Sequence, residues 1–360
     1  MTQQRRDPYI DILKGIGIIS VVIGHSGTFL PGVSFPTTKF VYLYHLMIFF
    51  FTAGMVYKPE KSTDPFQYLG KQLKGSIPLY VKYNIIFLLF HNIFVRIHML
   101  GEGIYGINNY IINVISILLM SHSETFGGAL WFIPMFLFAK GVFGVTFQLA
   151  QKARRPHAVH LCFIIVLAFI GLYTNYFGMY LLYHVQTSLL GVPVIYAGYF
   201  FGKYRKSFSK ATHPAAILPY GGILVLISLL NIGQIELSAN MIINPALFYP
   251  VTFVGIGFCL ATAQLLQKWH ISRYLFSYAG RKSYHIMASH FLIIKLVDLA
   301  LGTISNKEPS VLSQFPYSFH GLGWLYTLLG VGIPLVFCLI YDHRQKSLRN
   351  RSHFSPHVAQ

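Results

Sequence analysis

The sequence predicts an all-α, polytopic membrane helix bundle of about ten transmembrane helices with both termini on the cytoplasmic side. Three observations predict it. Of the 360 residues, 54% are hydrophobic and only 11% are charged, whereas a soluble domain carries roughly a quarter charged residues. Ten mainly apolar runs approach the roughly twenty residues that a bilayer crossing needs. Basic residues cluster between those runs on alternate sides, as positive-inside topology requires. That clustering also explains the net charge of +18 without nucleic acid as a partner.

The runs lie near 10–30, 40–57, 77–98, 130–149, 158–173, 180–202, 214–233, 248–267, 283–301 and 322–341. The first follows Arg5 and Arg6, is long enough to span and lacks a small-residue cleavage site, so it is expected to remain as a helix. Between the fifth and sixth, Tyr173–Tyr176 leaves a tight turn. Tyr110–Met120 is apolar but short and reads as an interfacial or re-entrant helix.

With the N-terminus inside, twenty-one basic residues are cytoplasmic. They are Arg5, Arg6, Lys58, Lys61, Lys71, Lys74, Lys152, Arg154, Arg155, Lys203, Arg205, Lys206, Lys210, Lys268, Arg273, Arg281, Lys282, Arg344, Lys346, Arg349 and Arg351. Only Lys39, Arg96 and Lys307 fall outside. Adding or removing one span would scramble the alternation downstream. Residues 1–341 therefore read as one transmembrane domain, and 342–360 as a basic, flexible cytoplasmic tail. Cys162, Cys259 and Cys338 all lie inside apolar runs, so neither a disulfide framework nor a metal site is indicated.

Ionisable residues within a span are costly and tend to mark function. Lys14 lies about one turn into the first helix, with Asp11 three residues earlier on the same face. An interfacial ion pair is one reading of the two. Lys82 and Lys140 have no obvious partner and read as snorkelling or packed side chains. Lys295 and Asp298, spaced i, i+3, read as a mutually neutralising structural pair. His25 follows Lys14 by eleven residues, about three turns, so both project from one face about 16 Å apart along the axis. A buried histidine bonded to a carbonyl is the competing reading.

His45 enters the second helix from the outside at a depth similar to His25, and His290 lies midway along the ninth. Three histidines from separate helices could meet, yet no Cys or carboxylate joins them at metal-ligand spacing, so no metal is expected. The longest outer connection ends in SHSETFGGALWFIP. Its Glu124 is either a solvated loop carboxylate or, with His122 and Trp131, part of a lid or sugar-stacking surface.

Several segments carry a resemblance. YIDILKGIGIISVVIGHS has a basic residue, ten residues, then His, which fits Lys14 and His25. YLYHLMIFFFTAGMVYKP places His45 before an aromatic run and a Gly step at Gly54. KQLKGSIPLY, GGALWFIPMFLF and YAGRKSYHIMASHFLI follow in order, the last ending past His290. Together they resemble the membrane acyltransferase family that O-acetylates sugars, in its fucose 4-O-acetylase-like branch. Lys71 and Lys74 stand where arginines are often found, and lysine lacks the bidentate fork of arginine.

The resemblance implies acyl transfer from cytosolic acetyl-CoA to a hydroxyl of a lipid-linked or polymeric glycan, by a multi-pass protein of a bacterial cell membrane. Neutral imidazole suits that chemistry, because a sugar hydroxyl needs a base near pH 7. His25 is expected to deprotonate the hydroxyl or to carry the acyl group covalently. Glu124, His45 and His290 complete the expected catalytic set, and Lys14, Asp11, Lys71 and Lys74 the donor-binding set. Trp131 and His122 are expected to touch the acceptor. The competing function is a lipid-linked glycan flippase, against which stands the lack of repeated halves. A polysaccharide polymerase would call for a larger, basic outer loop.

Overall fold

A computed structural model describes residues 7–61, 64–308, 313–314 and 319–353, the last five as helix backbone. Arg5 and Arg6 lie outside the described residues, as do the side chains of Arg349 and Arg351. Thirteen α-helices are described: α1 Pro8–His25, α2 Thr37–Tyr42, α3 Met47–Met55, α4 Pro65–Arg96, α5 Ile107–Leu118, α6 Phe132–Gln151, α7 Pro156–Tyr176, α8 Val185–Tyr204, α9 Ile217–Leu230, α10 Pro245–Leu266, α11 His270–Arg281, α12 Ser283–Ile304 and α13 Gly323–His353. Two short strands, β1 Ile235–Glu236 and β2 Met241–Ile242, pair antiparallel in one outer loop.

Among the described residues, nine helical segments are long and apolar enough to cross a membrane. The seventh expected span, 214–233, falls on Pro214–Leu230, a shorter apolar helix. Some bounds differ from those read in the sequence. The third span begins at Pro65 rather than 77, because Asp64 caps it by accepting from the amides of Phe66 and Gln67. Its 32 residues rise about 48 Å, well beyond a hydrocarbon core of about 30 Å. The overhang carries Lys71 and Lys74. The last helix runs to His353, through residues expected to form a flexible tail.

The second span is tightened around His45. The Val41 carbonyl accepts from the Tyr44 amide (3.2 Å), the His45 amide (2.9 Å) and the His45 Nδ1–H (3.1 Å). A side chain that competes for a backbone acceptor perturbs the regular ladder, and α2 and α3 are separate there.

α1 is the hub, 67% buried, while α7 and the apolar part of α13 are only 22% buried and turn most of their surface outward. It touches α2, α3, α10, α11, α12 and α13. Its closest partner is α11, where Gly15 meets the Phe276 carbonyl and Gly280 meets the Asp11 carbonyl. α3 and α8 repeat the device, with Gly54 on the Ile195 carbonyl and Gly198 on the Phe51 carbonyl. Lipid tails are as apolar as leucine, so helices in membranes gain by letting backbones approach at small residues. At the outer end α13 is tied to α1. The Gly323 and Trp324 amides donate to the carbonyls of Thr28 (3.0 Å) and Phe29 (3.2 Å), and Thr327 Oγ1–H donates to Ser26 Oγ at 3.1 Å.

Candidate active site

A cavity of about 540 Å³ opens at the basic end of the bundle. Lys14 of α1, Lys58, Lys71 of α4, Lys140 of α6 and Arg281 of α11 line it, and among the described residues its lining contains no Asp or Glu. Lys140, expected from sequence to lack a partner, donates to Gln72 Oε1 and lies 5.0 Å from the Phe136 ring centroid. Lys74 is exposed and does not line the cavity. Asp11 is buried and lines a separate cavity of about 230 Å³ with His270, Arg273 and Arg281. Of the four donor-binding residues expected, two therefore share the large cavity.

The deep part of that cavity is apolar, walled by Ile18, Phe49, Phe132, Ile133 and Met287. His25 lies seven residues beyond Ile18 on α1, about 10 Å along the axis, and His290 lies three residues beyond Met287, about one turn.

The three histidines meet beyond this apolar wall. The His25 ring is 5.4 Å from the His290 ring and 4.6 Å from Phe291, centroid to centroid. The Tyr42 ring stands edge-on to His25 at 6.3 Å and stacks on His45 at 4.5 Å, so it bridges the two. His290 Nδ1 is 3.1 Å from the Ile286 carbonyl and 2.9 Å from that of Met287. A carbonyl can only accept, so Nδ1 carries the proton and the buried Nε2 is left as an acceptor. Nε2 has no hydrogen-bond partner among the described residues. His45 Nδ1 is committed to Val41 in the same way. His25 is partly exposed, and it is the one histidine of the three whose ring is not anchored to its own helix.

These features, a cationic pocket leading through an apolar wall to a cluster of imidazoles, suit a thioester donor and a hydroxyl acceptor. Comparison with known families agrees at the coarser level. A sequence model described as an acyltransferase domain matches residues 7–343. The chain belongs to the acyltransferase-3 family. No curated protein and no solved structure matches it.

This membrane acyltransferase has a second polar cluster, at the outer end. Glu124 is 2% exposed rather than solvated. Its amide donates to Asn84 Oδ1 of α4 at 2.9 Å, and the carbonyl of His122 accepts from the Tyr80 hydroxyl at 2.5 Å. Glu124 Oε2 faces His91 Nδ1 at 3.4 Å and Oε1 faces His122 Nε2 at 3.4 Å. Tyr105 stacks flat on the His91 ring. Burial pushes the Tyr105 phenol up to about 12, with the Glu124 and Glu102 carboxylates adding to the effect.

Sequence reasoning did not single out His91. The signal for it is the register of α4, since Tyr80, Asn84, Phe87, Leu88 and His91 are its buried residues and form one face. Trp131 packs 4.8 Å from the His184 ring. Among the described residues, no three His, Cys, Asp or Glu side chains stand where they could hold a metal ion together. Lys295 donates to the Gln314 carbonyl at 2.7 Å and Asp298 accepts from Tyr326 at 2.5 Å. Both are fully buried in contacts that fasten α12 to α13 and to the segment leading into it.

Proposed function

We propose that the protein moves an acetyl group from cytosolic acetyl-CoA to a hydroxyl of a cell-surface or lipid-linked glycan, with His25 as base or acyl carrier. The observation that carries this reading is the cationic cavity, acid-free among the described residues, whose apolar end stops about one turn short of His290. Phosphates of the donor would pair with Lys14, Lys58, Lys71, Lys140 and Arg281. The pantetheine arm would follow the wall of Ile18, Phe49 and Met287, bringing the thioester toward His25.

The chemistry then needs one proton acceptor. In direct transfer, the His25 ring takes the hydroxyl proton as the sugar oxygen bonds to the thioester carbon. The carbon–sulfur bond breaks and the proton passes to the departing thiolate. In the covalent route, His25 nitrogen displaces the thiol first, and the sugar oxygen then displaces the imidazole. His45 and His290, whose Nδ1–H groups are held by backbone carbonyls, orient the reactants. Membership of the acyltransferase-3 family favours covalent transfer over passive movement of a lipid-linked glycan.

The test uses purified protein in proteoliposomes with isotopically labelled acetyl-CoA and extracted cell-envelope glycan. Label in the glycan ester fraction is expected. Neither transfer of label nor release of coenzyme A, from folded protein, would overturn the reading and leave the flippase alternative.

A further inference from the structure

We infer that His91, Glu124 and His122 form one hydrogen-bonding relay that presents the His122 imidazole at the outer face to a hydroxyl-rich saccharide, with His91 as its positioning residue. The inference rests on the glycan reading above for the identity of the ligand. The relay itself rests on geometry alone.

His91 is fully buried on α4, and its Nε2 lies 3.1 Å from the Gly103 carbonyl. Nε2 must therefore donate, which leaves Nδ1 facing Glu124 Oε2 at 3.4 Å and Glu102 Oε2 at 3.9 Å. An imidazole lone pair and two carboxylates are all acceptors, so one proton must sit between His91 and Glu124 to join them. Tyr105 stacked on the ring, with its backbone held in both directions by Asn92, prevents His91 from rotating away.

Glu124 passes the constraint on. Its second oxygen faces His122 Nε2, which is buried, while the His122 side chain is 37% exposed. His122 is thus an imidazole oriented from below by a buried carboxylate, with Nδ1 as the nitrogen not engaged with Glu124. Both gaps of 3.4 Å exceed a formed hydrogen bond of roughly 2.7–3.2 Å. His91 Nδ1, His122 Nε2 and Glu124 Oε1 have no hydrogen-bond partner among the described residues. Catalytic hydrogen bonds of this kind often tighten only when substrate is bound, and a hydroxyl on His122 supplies that closure. Tyr80 and Asn84 hold the backbone of the same segment, which fixes where His122 stands.

The experiment compares His91→Phe, which keeps a ring against Tyr105 but has no N–H, with His91→Gln, which restores donors, and with Glu124→Gln. Each variant replaces the chromosomal copy in the source cells, and the acetyl-ester content of the envelope glycan is measured by mass spectrometry. Acetyl-CoA hydrolysis by each purified full-length protein is measured alongside. His91→Phe and Glu124→Gln are expected to lower the ester content about tenfold, the loss expected for one buried bond to a charged group. For His91→Phe, hydrolysis should stay within about twofold of wild type, and His91→Gln should recover part of the loss.

Unchanged ester content in both variants, or an equal fall in hydrolysis for His91→Phe, would overturn the inference. A thermal-unfolding cycle separates the relay from the reading it rests on. The double variant His91→Phe/Glu124→Gln should melt no lower than the worse single variant, since coupled residues are non-additive. Additive losses would break the relay. A non-additive cycle in a protein whose cells carry no glycan ester would leave the relay standing and remove the sugar.

Discussion

At the basic end of the bundle, five cations line one cavity with no acid among the described lining residues, whereas at the outer end a carboxylate is enclosed between two histidines. The first arrangement gathers cations around an open pocket and suits an anion from outside. The second is nearly complete and calls for little more than a hydrogen-bonding group. The two ends thus suit different partners, a phosphorylated donor and an uncharged, hydroxyl-bearing acceptor. Between them stand His25, His45 and His290. The difference teaches that where the charge faces, more than its presence, separates a binding site from an internal fastening. Lys295 and Asp298 are as deeply buried as any of these residues, yet they bond inward, to the Gln314 carbonyl and the Tyr326 hydroxyl.

Three experiments bear on that contrast. The largest effect is expected from the scaffold that keeps the two ends aligned. A side chain added at Gly198 would run into the Phe51 carbonyl of α3, backbone that cannot move aside. Gly198→Leu should abolish recovery of monodisperse protein from membranes, checked by size-exclusion chromatography. Normal recovery would show that the α3–α8 contact is not what holds the bundle.

A smaller effect is expected inside the cavity. Lys14→Ala and Lys140→Ala should each raise the donor KM by about 1–3 kcal/mol, the range for a charge-assisted contact. Lys74→Ala should leave the donor KM within about twofold, because Lys74 does not line the cavity. An equal rise for Lys74 would mean that general surface charge, rather than this cavity, draws the donor. The last experiment changes no activity. Reporter fusions at Gly101 and Lys307 should read as external and fusions at Arg154 and Arg205 as cytoplasmic, and any reversal would exchange the two ends.

The basic end was largely legible in the sequence, and the outer end was not. Lys14 and His25 share one helix, so the rotation of about 100° per residue places them on one face without knowledge of the fold. The same rotation explains the exception. Tyr68, Lys71, Gln72 and Ser76 line the cavity from one face of α4, and Lys74 falls on the other side. Lys140 looked unpartnered because Gln72 is 68 positions away in sequence. His91 is a single histidine in a long apolar helix, and its partners Gly103, Tyr105 and Glu124 arrive from a loop that doubles back over it. No local spacing couples residues separated in that way. The tightened turn at His45 likewise depends on a side-chain bond to Val41 that hydropathy does not report.

The central claim is that the cationic cavity binds the donor while His25 performs the chemistry, and one kinetic comparison tests it most directly. Steady-state acetyl transfer by purified His25→Ala should show a donor KM close to wild type and a kcat lower by about 10²–10⁴, the usual loss for a general base. Lys140→Ala in the same assay should show the reverse, a raised donor KM with kcat largely kept. Near-normal kcat in well-folded His25→Ala would contradict the account, as would a fall in kcat without a change in KM for Lys140→Ala.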